Sequence, residues 1–169
     1  SAYRFSPADV PFRLRARLEL SYPAGSHRPE KLGVYEQDDD STWTFVDNQL
    51  DLDRNTVSAE VRHFSTYALL SDEVPPDVSE LRPLPGSETA DRRPIIEASV
   101  RDRGSGIGRE KDISVRLNDR MMIFEYDPEQ DVIRAKPREP LEPGVYRLEI
   151  LVRDMCGNQQ TQSGVFTVR

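Results

Sequence analysis

Residues 12–20 read Phe-Arg-Leu-Arg-Ala-Arg-Leu-Glu-Leu, an unbroken alternation of apolar and charged side chains. A period of two belongs to a β-strand with one buried face, because successive side chains of a strand point to opposite sides. The alternation predicts Phe12, Leu14, Ala16, Leu18 and Leu20 on a core face, with Arg13, Arg15, Arg17 and Glu19 opposite. An anion-binding stripe is one use for three arginines in a row. The solvated face of an antiparallel sheet is the favoured reading.

The same grammar continues to residue 72. Pro23, Gly25 and Pro29 mark a loop, followed by a short strand over 31–35. Asp38-Asp39-Asp40-Ser41 turns the chain into Thr42–Val46. These aspartates lack the Asp-x-Asp-x-Asn-Gly spacing of a calcium loop and read as a solvated hairpin tip. Thr56–Val61 alternates again, and 62–72 reads as the closing strand of a first domain, residues 1–72. Pro75-Pro76 then removes two backbone donors and fixes φ twice, so 73–77 reads as a stiff tether.

Residues 78–169 repeat the pattern. Ile96, Ala98 and Val100 share one face of a strand that runs into the loop Asp102–Gly108. Its glycines do not make a dinucleotide site, since Arg109 stands where the third glycine is required. Ile113–Leu117, a turn at Asn118-Asp119 and 121–126 read as a hairpin, and 127–130 turns the chain into 132–135. Over 145–153, Tyr146, Leu148, Ile150 and Val152 point inward, and 164–168 forms a last strand after the turn 154–158. The expected fold class is therefore all-β: two tandem β-sandwiches, the second of immunoglobulin-like size.

Composition narrows the partners. The chain has 169 residues and net charge −7, and neither part is basic (−4 for residues 1–72, −3 for the remainder), which argues against nucleic acid as the main partner. No apolar run approaches the roughly 20 residues of a membrane-spanning helix, so membrane insertion is not expected. Cys156 is the only cysteine, which rules out an intrachain disulfide. The chain opens at Ser1 without Met and reads as a piece of a larger parent protein, whose other domains are its expected partners. With two histidines, no zinc spacing and no Ser-His-Asp arrangement, no catalytic site and no cofactor are expected.

The run from Leu32 to Pro76, with Trp43, the segment Thr56-Val57-Ser58-Ala59-Glu60-Val61 and the tail His63-Phe64-Ser65-Thr66-Tyr67-Ala68-Leu69, resembles a sandwich module of bacterial exported and surface proteins. It is also similar to the end of self-cleaving sandwich domains found beside death domains, cut within a His-Phe-Ser tripeptide. That likeness implies a chemical candidate. The Ser65 hydroxyl would attack the Phe64 carbonyl and His63 would take the proton, giving an ester that water hydrolyses. The competing reading keeps Phe64 in the core, Ser65 within a strand and His63 on an exposed face. The second half, through Asp102, Gly104-Ser105-Gly106-Ile107, Asn118-Asp119, Tyr126-Asp127-Pro128, Pro143-Gly144 and Gly157-Asn158, resembles bacterial immunoglobulin-like domains, which are appended to secreted peptidases and adhesins. Relatives often carry Ala where Cys156 stands, which implies a small packed residue and not a catalytic thiol.

An immunoglobulin-like order would gather Asp72, Asp77, Asp102, Asp154 and Asn158 near one pole, where their oxygens suit calcium. The favoured reading is that Asp102 and Asp154 cap turns through side-chain to backbone hydrogen bonds, with no metal bound. The expected function is non-catalytic: spacing, presentation or binding within an exported, periplasmic, cell-surface or secreted protein. The alternatives are self-cleavage between Phe64 and Ser65, and recognition of cell wall or a protein ligand as an accessory domain of a secreted peptidase.

Overall fold

The computed structural model describes residues 2–7, 10–108 and 110–169. The protein is all-β; apart from two three-residue 3-10 turns, its regular elements are strands. It divides into two compact units, Ser1–Val74 with Met155–Gly157, and Pro75–Asp154 with Asn158–Arg169.

The first unit has two sheets. One orders its strands β1 (Ala2–Arg4), β7 (Thr66–Ser71), β3 (Leu32–Gln37) and β4 (Trp43–Asp47); the other orders β2 (Pro11–Ser21), β6 (Thr56–His63) and β5 (Gln49–Asp51). All pairings in this unit are antiparallel. Leu20, Val34, Val57, Ala59, Val61 and Tyr67 form its core. Gly33 is required by that packing: a Cβ there would stand 2.6 Å from Cε2 of Phe45. The hairpin from β3 to β4 is tied by its aspartates, since Thr42 Oγ1 donates to Asp40 (2.6 Å) and Thr44 Oγ1 to Asp38 (2.5 Å).

Two expectations for this unit fail. Leu14 is 84% exposed, because β2 slips against β6 between Pro11 and Ala16 and the bulge turns Leu14 out of the core. The arginine face is solvated, with Arg15 3.0 Å from Glu60 of β6. The closing strand is also not continuous. β6 ends at His63 in one sheet and β7 begins at Thr66 in the other, so Phe64 and Ser65 are a two-residue crossing between sheets.

The second unit pairs a sheet of β13 (Phe124–Asp127), β14 (Val132–Ala135), β10 (Ile96–Arg101) and β8 (Asp77–Arg82) with a sheet of β12 (Arg120–Met121), β11 (Ile113–Leu117), β15 (Gly144–Arg153), β16 (Gln159–Val168) and β9 (Glu88–Thr89). The alternation places Ile96, Ala98, Val100, Leu148, Ile150 and Val152 in one core. The last strand is longer than its apolar pattern suggests: β16 starts at Gln159 because its polar half pairs residue by residue with β15. The expected hairpin strand over 121–126 is broken. Asn118 and Asp119 both adopt positive φ (47° and 63°), the geometry of a tight primed turn, but β12 lasts two residues and the chain then changes sheets to form β13. No helix among the described residues is long and apolar enough to cross a membrane.

Candidate functional site at the inter-sheet crossing

The crossing brings together the tripeptide singled out in the sequence. Pro11 of β2 pairs with His63, and the Phe5 amide donates to the Ser65 carbonyl at 2.9 Å, so the backbone is held on both sides of the Phe64–Ser65 bond. The Phe64 ring packs edge-on against Phe12 (centroids 4.8 Å apart) and stacks with Phe5 (6.3 Å). The Tyr67 hydroxyl donates to the His63 carbonyl at 3.0 Å.

His63 Nδ1 stands 3.4 Å from the Phe64 carbonyl oxygen and 3.5 Å from Oε1 of Glu36. Both neighbours are acceptors, which favours a proton on Nδ1. The imidazole therefore faces the carbonyl oxygen of the bond that self-cleavage would break. An Nδ1–H there stands on the side where negative charge would build during attack. A general base would instead have to reach the Ser65 hydroxyl. Among the described residues that hydroxyl makes no hydrogen bond.

One residue of this site, Glu36, had no signal in the sequence motif, and Tyr67 stood in the motif without an assigned role. They face each other as register partners on β3 and β7. Burial raises the Tyr67 phenol to about 12, and the charge of Glu36 adds to the rise. The period-two pattern of β3 and β7 was available in the sequence, but the register that aligns them was not.

The proposed calcium ligands have local roles. Asp72 belongs to the first unit, where it is buried and accepts the Val74 amide at 3.1 Å. In the second unit, Asp77 is exposed and accepts from the Ser79 hydroxyl at 3.0 Å. Asp102 accepts the amides of Gly104 (3.2 Å) and Gly106 (2.5 Å). Arg109, which interrupts the glycine pattern that follows, lies outside the described residues. Asp154 accepts the Asn158 amide at 2.8 Å and its side-chain NH2 at 2.7 Å. One carboxylate oxygen each of Asp102 and Asp154 lie within 4.8 Å. Cys156 is buried.

No family model matches the chain, and no curated protein matches it. Among solved structures it is similar to dimeric latent PorU from Porphyromonas gingivalis, at 12% identity and a TM-score of 0.44. That alignment covers 92% of this chain and 20% of the PorU chain, so the chain spans about a fifth of that protein's length.

Proposed function

We propose that this chain is a non-catalytic structural and interaction module of a larger bacterial exported or cell-surface protein. Its two sandwiches would serve as successive spacer, presentation or binding domains, the second of immunoglobulin-like type. The observation that carries this reading is the use of the His63-Phe64-Ser65 segment as an inter-sheet joint. Its two flanking carbonyls accept the Tyr67 hydroxyl and the Phe5 amide, and the Phe64 ring lies between Phe5 and Phe12. The imidazole is at the carbonyl oxygen, not at the nucleophile, which supports a structural reading of this motif. The exported setting rests on the resemblance of the sequence to exported modules.

Self-cleavage is the second reading, favoured by one observation: the pairing of Glu36 with His63 beside the Phe64 carbonyl, which would supply one charge-supported donor to an oxyanion. Hydroxylamine separates the two readings because it cuts an ester but leaves an ordinary peptide bond between Phe64 and Ser65 intact. Incubation of the folded chain with hydroxylamine near neutral pH should yield no fragment ending at Phe64. A fragment of residues 1–64 that grows with time would overturn the non-catalytic reading.

A further inference from the structure

The break between β12 and β13 leaves an open groove of about 910 Å³ in the second unit, between the 118–123 segment and the 136–142 loop. Its floor includes Met122 and Leu141, which pack against the core. Beside them Met121 and Ile123 are 59% and 67% exposed. Two adjacent large apolar side chains on the lip of a groove mark a binding surface more than a solvated edge, and Met is adaptable enough to fit varied partners.

The backbone is open there as well. β12 ends its sheet and β13 ends the other. The two-residue turn makes Leu117 and Arg120 the hydrogen-bonded closing pair, so the next pair, Arg116 and Met121, is non-bonded. The N–H and C=O of Met121 accordingly point away from β11, towards the open edge. An incoming extended strand can use them.

Charge selects the occupant. Arg120, Lys136 and Arg138 line this groove, and among the described residues their side chains make no ion pair or hydrogen bond. Elsewhere in the unit arginines meet carboxylates, as Arg134 does Glu97 (2.8 Å) and Arg92 does Glu142 (2.7 Å). The second pair engages one of the two acids on the groove wall and leaves Glu139 alone against three cations. In a chain of net charge −7 this is a local reversal of sign. We propose that the groove binds an extended acidic peptide segment, which pairs its backbone with Met121, sets an apolar side chain between Met121 and Ile123, and places carboxylates against Arg120, Lys136 and Arg138.

The test is a titration of the 15N-labelled full chain with an acetylated and amidated octapeptide alternating Asp with Val and Leu, followed by amide shifts. The same peptide with Lys for Asp is the control. Saturable shifts confined to 117–123 and 136–142 are expected. Binding should weaken with added salt and by about tenfold or more in Arg120→Glu/Arg138→Glu, whose thermal midpoint should match that of the parent because both side chains are exposed. Absence of saturable shifts up to about 1 mM peptide would overturn the proposal, since weaker association is no longer specific recognition. So would shifts elsewhere, equal binding of the Lys peptide or indifference to the charge reversal. Sedimentation of the free chain as a dimer that the reversal dissociates would overturn it too, by making a second copy the occupant.

Discussion

Replacing Tyr67 with Phe removes one hydroxyl and keeps the ring in place against Phe5 (centroids 6.3 Å apart). The hydroxyl donates at 3.0 Å to the His63 carbonyl, at the last residue before the chain changes sheets. The net value of such a bond is about 1 kcal/mol, and stranding a part-buried carbonyl adds to it, so a loss of about 1–2 kcal/mol is expected. For a unit of this size that lowers the thermal midpoint by about 5–10 °C. The assay is urea unfolding followed by fluorescence of Trp43, the only tryptophan, which lies on β4 of the first unit. Alkaline pH provides an internal control. The phenol is raised from its ordinary value of 10.0 to about 12 on folding, so its contribution is fully present below pH 10 and is lost as pH rises through 12. The stability gap between parent and Tyr67→Phe should therefore be constant below pH 10 and narrow from there to pH 12. A variant equal to the parent at pH 7 would refute the assignment of this hydroxyl as the clasp of the crossing, and a gap unchanged at pH 12 would refute its burial beside Glu36.

Gly33→Ala should cost about 1–3 kcal/mol in the same Trp43 assay, because the new Cβ would stand 2.6 Å from a Phe45 ring held edge-on against Tyr35; an unchanged urea midpoint would contradict the packing described. Leu14→Lys should change stability by less than about 0.5 kcal/mol, since the bulge has turned Leu14 into solvent; a loss of several kcal/mol would restore Leu14 to the core.

What the sequence made legible was whatever a single strand decides by itself. The alternation in 96–100 and 146–152 placed its apolar side chains in the core because each strand holds an unbroken register with a neighbour, β10 with β14 and β15 with β11 and β16. What it left illegible depends on a second strand. Leu14 fits its own alternation, and only the slip of β2 against β6 turns it out. The segments 62–72 and 121–126 read as continuous strands, but a change of sheet is a tertiary event that leaves the apolar pattern intact. Gln159–Ser163 carries no apolar alternation and becomes strand because β15 offers it a full ladder of backbone partners. At the crossing, the His-Phe-Ser motif and Tyr67 beyond it could be seen, but Glu36 reaches them through strand register that no local pattern encodes.

The most direct test of the non-catalytic account is the intact mass of the purified full chain, aged at neutral pH and then denatured, beside Ser65→Ala treated identically. The account predicts one species of 169 residues in both samples. Fragments 1–64 and 65–169 in the parent, absent from Ser65→Ala, would contradict it and make the inter-sheet crossing an active site.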